Sequence, residues 1–475
     1  MIVLWFFILS LVLAISILII KNKLFYAFAG TTYIILQIAL TFYAHQNNND
    51  IDSVYFKFDS LSILLNGFLA FILIPIIFHS KLYLKRHVPV LKMKGRFLSL
   101  IIILTAALSG VYFTDNFVIM WVCLEITTIV VTFLIFHERY NDALEASWKY
   151  LFVSSVGITI AFLGLLFLSV QSKEGSEVTL SYNNLLNIAD NLDPFFLKTA
   201  FLLLITGYSI KMNLFPLYAA TVDAKTVAPF PVNAITSTAM VNAGFVAIFR
   251  IYSIISKTNS IHWAQNVLLI VGVISIVIAT IQLFRIKRFK RMFAFSTMEH
   301  SALIVIALSL GKVGYYAALL HLLLHTLAKT GMFLHFGIIR AGFQSGWLKD
   351  TGNYMKNNGI AAIVYIVGLL TVTAVPPSGM FVSEFLIFKA LFSTNNYFLA
   401  ILIFFLLTIV MFILFRNSMQ LLYGTPSENY KPQNAIVNKF EPISQLVLFG
   451  LVFYFAYFPP LFFTELMNEA LKVLN

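Results

Sequence analysis

Charge is scarce in this sequence: Asp, Glu, Lys and Arg make up 11% of its 475 residues, against roughly 25% in a typical soluble domain. A molecule wetted over its whole surface is thereby excluded. Cysteine is scarcer still. With Cys123 alone, neither a disulfide framework nor a cysteine-ligated metal or iron–sulfur centre can form within the chain. No phosphate-binding loop, dinucleotide-binding turn or nucleophile elbow occurs, so nothing points to nucleotide hydrolysis or a bound dinucleotide. No catalytic site, metal or cofactor is expected in this chain, and the energy for any work must come from an ion gradient or a partner.

What is present is apolar: 60% hydrophobic residues with a mean hydropathy of +0.89. Runs of 18 or more such residues are each long enough to cross a hydrocarbon core of about 30 Å as helices, the open-chain form that satisfies its own backbone in lipid. About fourteen transmembrane helices are expected, at 2–20, 24–44, 58–80, 97–114, 117–137, 146–170, 195–219, 230–255, 264–285, 293–310, 313–340, 359–391, 397–423 and 443–466. The fold class is an all-α integral membrane protein, a single transmembrane domain over 1–475 with no soluble domain. The first run carries no preceding basic residue and no small-residue cleavage site, so it reads as a retained helix.

The net charge of +12 belongs to topology and not to nucleic acid. Loops after the odd-numbered helices hold 21 Lys and Arg residues; the opposite side holds six, Lys57, Lys173, Lys198, Lys257, Lys312 and Lys472. The positive-inside rule then places both termini outside a prokaryotic cytoplasmic (inner) membrane. Five basic residues remain within helices: Lys149, Lys211, Arg250, Lys329 and Lys389.

Prolines interrupt two of the helices, Pro216 in helix 7 and the pair Pro376-Pro377 in helix 12. These positions correspond if helices 4–8 (97–255) and 9–13 (264–423) are two five-helix units, with helices 1–3 (1–96) before and the last helix (443–466) after. An odd number of helices inverts the second unit, the inverted-repeat plan in which broken helices flank the ion path.

Ionisable side chains inside membrane helices are costly and face partners or water, which makes each a functional candidate. Glu125 lies mid-helix among apolar neighbours, as a switchable carboxylate or one half of a structural ion pair. Lys211 precedes the Pro216 break, where freed carbonyls and water suit either a lysine that exchanges a proton as a carboxylate moves toward or away from it or one that only satisfies the freed carbonyls. In helix 11, His321, His325 and Lys329 recur every four residues and so line one face over some 12 Å of depth, a spacing suited to a proton relay. Metal ligation by the two histidines is the rival reading, set aside for want of a local third ligand. His335 is off that face and reads as a helix-end residue. Glu299-His300 in helix 10 is either a second titratable pair or a hydrogen-bonded structural unit. Glu384, beyond the helix 12 break, suits an exit-side acceptor; Lys389 either joins it or snorkels to a surface. Lys149 reads as a proton uptake group or an interfacial lysine.

Taken together, several segments resemble the antiporter-like membrane subunits shared by respiratory complex I, energy-converting hydrogenases and multisubunit cation/proton antiporters, most closely the hydrogenase-4 component F type. They are Glu125, Glu145-Ala-Ser-Trp-Lys149-Tyr, Lys211-Met-Asn-Leu-Phe-Pro216-Leu, the stretch Lys290 to His300, the His321, His325, Lys329 face, and Gly379-Met-Phe-Val-Ser-Glu384-Phe. The resemblance implies a Glu125–Lys211 pair, a central Lys329 and an exit-side Glu384. The usual titratable residue of helix 8 is replaced by Thr236-Ser-Thr238 with Asn242, and the common His-containing turn after helix 7 reads Leu217-Tyr-Ala-Ala-Thr-Val-Asp223. The expected function is a proton-translocating subunit of a membrane complex coupled to a partner's reaction. Alternatives are the membrane subunit of an inorganic-carbon uptake complex with a zinc protein partner, or a cation/proton antiporter module. Expected partners are other membrane subunits, a soluble redox or zinc enzyme, the lipid bilayer, and protons or Na+.

Overall fold

A computed structural model describes residues 1–88, 90–171, 173–174, 177–178, 180–426 and 440–474. Among the described residues, twelve helices are long and apolar enough to cross a membrane, or thirteen if Ile443–Tyr457 and Leu461–Leu474 form one span. The chain is a multi-pass integral membrane protein. The segment expected at 359–391 holds two shorter helices, Gly359–Val372 and Gly379–Ser393, so each of the fourteen expected segments contains a helix. Two short hairpins, Ile51–Ser53 with Phe56–Lys57 and Lys173–Glu174 with Glu177–Val178, are the strands among the described residues.

The chain forms two compact units, Met1–Ala224 with Ala239–Leu268 and Leu461–Asn475, and Lys225–Thr238 with Leu269–Pro460. In the first, Leu91–Phe113 packs on Ile2–Ile19 and Phe117–Ile135, and Pro194–Met212 packs on Asn141–Ser169 and Ala239–Ser256. Two of these helices touch backbone to backbone: a Cβ added to Gly207 would sit 2.4 Å from the Gly157 carbonyl oxygen. Small residues allow such approach where helices have no hydrophobic drive to associate in lipid. Asp193 caps the start of Pro194–Met212 by accepting from the backbone of Phe195 and Phe196, and Asn213, at a φ of +62°, ends it. Termination therefore falls two residues after Lys211, ahead of Pro216, and the chain resumes as Tyr218–Val227.

The second unit is built around Lys312–Phe343, against which Phe230–Thr236, Phe289–Ser309, Gly359–Val372, Gly379–Ser393 and Ile443–Tyr457 all pack. Its central helix is buried over the whole of its membrane-spanning stretch, which is why it tolerates titratable residues along its length. The Pro376-Pro377 break is realised: Gly359–Val372 stops, and Ser378 caps Gly379–Ser393 by accepting from the Phe381 backbone.

Three expectations need correction. The segment 443–466 is not continuous but divides at 458–460, where Pro459 and Pro460 lack the backbone donors a helix needs. The segment 230–255 is interrupted at Ser237-Thr238, between Phe230–Thr236 and Ala239–Ser256. His335 is no helix-end residue: it is buried, with Nε2 3.1 Å from the Tyr354 hydroxyl and two turns of helix still to come. Among the basic residues used for charge sorting, Lys431 and Lys439 and the side chain of Lys173 lie outside the described residues.

Candidate functional site

Each unit holds its own cluster of buried acid and base groups. In the first, the Lys211 side chain is 1% exposed. Its ammonium donates to the Leu124 carbonyl at 3.1 Å, Thr127 Oγ1 at 3.1 Å and Thr128 Oγ1 at 2.7 Å, all on the Phe117–Ile135 helix. Three acceptors match the three donors of an ammonium. Glu125 is on the same helix, half-buried. One carboxylate oxygen accepts from Ser155 Oγ at 3.2 Å; the other has no hydrogen-bond partner. The expected pair is thus apart in this conformation: the lysine rests on threonine hydroxyls, and among the described residues no ion pair joins it to Glu125. An unsatisfied carboxylate oxygen and a lysine held by neutral groups can each change partners at modest cost, which a locked ion pair cannot.

The lysine is covered from its other side as well. A Cβ on Gly244 would lie 2.9 Å from Lys211 Cβ, so the Ala239–Ser256 helix closes directly over the lysine. Asn242 on that helix is buried beside the Tyr112 hydroxyl, which donates to the Ala239 carbonyl at 2.8 Å. Arg250, further along, has a structural role: its guanidinium pairs with Asp59 Oδ2 at 3.2 Å, donates to the carbonyls of Tyr112 and Thr114, and stacks over Tyr182.

The second cluster is longer. Lys329, wholly buried, donates to Ser296 Oγ at 2.7 Å and lies over the Phe293 ring at 5.4 Å. Glu299 stands beside the same serine, one turn along Phe289–Ser309, and its Oε2 is 3.6 Å from His300 Nε2. His300 Nδ1 is 3.1 Å from His321 Nε2, and His321 Nδ1 is 2.9 Å from Ser383 Oγ. Glu384 completes the row, with ligand atoms of His300, His321 and Glu384 all within 4.8 Å of one another. A cavity of about 790 Å³ reaches both Glu299 and Glu384, walled mostly by apolar side chains such as Phe385, Phe388 and Phe404. Lys329, Ser296, Glu299, His300, His321, Ser383 and Glu384 thus form a row of groups in or near hydrogen-bond reach.

The structure sorts the residues singled out from sequence. It brings Glu299, His300, His321, His325, Lys329 and Glu384 into one cluster, and places Lys211 and Asn242 in the interior of the other unit, with Glu125 half-buried nearby. His325 packs with its ring 5.3 Å from that of His300, and neither of its nitrogens has a hydrogen-bond partner. Lys149 stands outside either cluster, half-exposed and paired with Glu145 one turn away; Lys389 is exposed on Gly379–Ser393.

Two groups escaped sequence reasoning. Lys225, counted as a loop cation, is 1% exposed, and its ammonium has no hydrogen-bond partner. It lies near enough to His325 and Lys329 for their charges to interact. Lys290, also counted in a loop, is buried and donates to the Ala228 carbonyl at 2.6 Å. A lone lysine between the Pro216 break and Pro229, with few polar neighbours, was the available signal for the first. The helix 8 stretch Thr236-Ser237-Thr238 with Asn242 holds no lysine or histidine, and Lys225 places a buried ammonium on the element before it.

Comparison with known proteins places the chain in a family. A hydrogenase-4 component F homolog of Methylacidiphilum infernorum is 28% identical over 323 residues, 67% of this chain and 68% of that one. Hydrogenase-4 component B of Escherichia coli is 25% identical over 62% of this chain, which spans only 45% of that relative's length. A chain of an archaeal membrane-bound sulfane sulfur reductase superposes with a TM-score of 0.85 at 22% identity, covering 99% of this chain and 97% of its own. The family described as NADH:quinone oxidoreductase/Mrp antiporter, TM matches residues 114–411, and with its paired buried clusters the chain belongs to that family as an antiporter-like membrane subunit.

Proposed function

We propose that this chain translocates protons as a subunit of a larger membrane complex, by changes of protonation and partner in its two buried clusters, coupled to a reaction carried out by partner chains. The observation that supports this most directly is the row from Lys329 through Ser296, Glu299, His300 and His321 to Ser383 and Glu384. Ammonium, carboxyl and imidazole groups succeed one another along it with a serine hydroxyl one step in from each end, so a proton can pass by short transfers without a bare ion entering lipid. In the first unit, Lys211 exchanging its threonine acceptors for Glu125 provides a second protonation switch. A membrane potential is worth about 2.3 kcal/mol per charge per 100 mV, comparable to the cost of such a switch.

Redox centres, if the partner reaction is a reduction, belong to other chains, since this one offers no thiolate set to hold them. The basic loops favour both termini outside a prokaryotic inner membrane. The test is proton uptake by sealed vesicles carrying the purified complex. With Lys329→Ala at equal assembly, uptake should fall to the leak level; unchanged uptake would remove the second cluster from the path.

A further inference from the structure

The row of side chains has an electrostatic peculiarity at its centre. Ser383 donates its hydroxyl proton to the Met380 carbonyl at 2.8 Å, so its oxygen accepts from His321 Nδ1 at 2.9 Å. His321 therefore carries its hydrogen on Nδ1 and turns a bare Nε2 lone pair toward His300 Nδ1, 3.1 Å away. His300, which also has the Val372 backbone within hydrogen-bond reach, has two neutral forms. With its hydrogen on Nδ1 it bonds His321, but its own Nε2 lone pair then faces the Glu299 carboxylate at 3.6 Å. With its hydrogen on Nε2 it satisfies Glu299, but two lone pairs oppose each other across the short gap. A cation held between the two rings resolves the second arrangement.

We propose that His300, His321 and Glu384 form a binding site for a divalent transition-metal ion of the zinc class. Two imidazoles and a carboxylate are a common zinc donor set, and two nitrogens each about 2.0–2.1 Å from a tetrahedral ion stand roughly 3.3 Å apart, close to the 3.1 Å found here. The Ser383 bond to His321 Nδ1 is the outer hydrogen bond that fixes tautomer and ring orientation in histidine metal sites. The three ligands come from three helices, Phe289–Ser309, Lys312–Phe343 and Gly379–Ser393, so no local sequence pattern announces them. His325, wholly buried with both nitrogens unpartnered, packs against His300 as a reserve donor. The cavity that ends at Glu384 leaves room for a fourth ligand such as water. A bound ion removes His300 and His321 from proton traffic, so the site acts as a brake on the row.

The test reads metal binding directly and so does not depend on whether the chain conducts protons. The full chain in detergent, stripped with a chelator, is dialysed against Zn2+, and separately loaded with Co2+, whose four-coordinate complexes absorb strongly in the visible. Wild type should bind one more equivalent of Zn2+ than His321→Gln or Glu384→Gln, and the Co2+ bands should vanish in both. His262→Gln, at an exposed position, should bind as wild type does. Ser383→Ala keeps all three ligands and guards against misfolded ligand variants; its Zn2+ affinity should drop by about 10–100-fold. Equal binding by wild type, Glu384→Gln and Ser383→Ala overturns the proposal.

Discussion

His300 Nδ1 and His321 Nε2 lie 3.1 Å apart, although the two residues sit on different helices of the second unit. This contact turns a titratable helix face and a separate Glu-His pair into one row. His300→Gln should lower proton uptake by about 10²-fold or more, in keeping with loss of a positioned proton carrier. Assembly measured on native gels should be unchanged. Uptake within a factor of two of wild type would show that the contact is structural only.

Ser296 is the hydrogen-bond acceptor of the Lys329 ammonium, at 2.7 Å. Removing it leaves a buried cation short of an acceptor, a loss of roughly 1.5–3 kcal/mol for a bond to a charged group. Ser296→Ala should therefore lower the thermal midpoint of the purified chain. The double variant Ser296→Ala, Lys329→Met should recover most of that loss, because the charge goes with its partner. Additive destabilisation in the double variant would contradict the assignment.

Lys211 depends on Thr128 for its shortest bond, 2.7 Å. Thr128→Val should bias the lysine toward Glu125 and away from its resting position. Proton uptake should fall with Thr128→Val and fall no further in Thr128→Val combined with Glu125→Gln, since both act on one exchange. Multiplied effects would mean that the two residues serve different steps.

Arg250 is buried against Asp59, and breaking such a pair from one side costs about 3 kcal/mol. Arg250→Ala should reduce the amount of folded chain in membranes while leaving uptake per assembled complex intact. Lys149→Ala, by contrast, removes a half-exposed surface pair and should leave yield, stability and uptake all unchanged. A loss of uptake with Lys149→Ala would restore its reading as a proton uptake group.

Much of this was legible in the sequence. Hydropathy found the fourteen helical segments, and the four-residue spacing of His321, His325 and Lys329 put them on one face of a helix that the structure buries over its membrane-spanning stretch. Pro216 and Pro376-Pro377 marked two breaks. What was hidden depends on packing between segments. Ser296 and Ser383 are ordinary residues until they meet Lys329 and His321. Glu384 becomes a neighbour of His300 only through three-helix packing. Lys225 passed for a loop cation because the element bearing it is too short to show a period, yet tertiary burial overrides its polarity. The Pro459-Pro460 break was readable and was missed, because apolar composition continues through it.

The most direct measurement is proton uptake by sealed vesicles containing the complex, comparing wild type with Lys211→Ala and Glu125→Gln at equal assembly. Loss of uptake in both variants is the expected result, since Lys211, held among Leu124, Thr127 and Thr128, exchanges its proton with Glu125 in this account. Uptake at the wild-type rate in both would contradict proton translocation by this chain and leave its buried charges as supports for the helices.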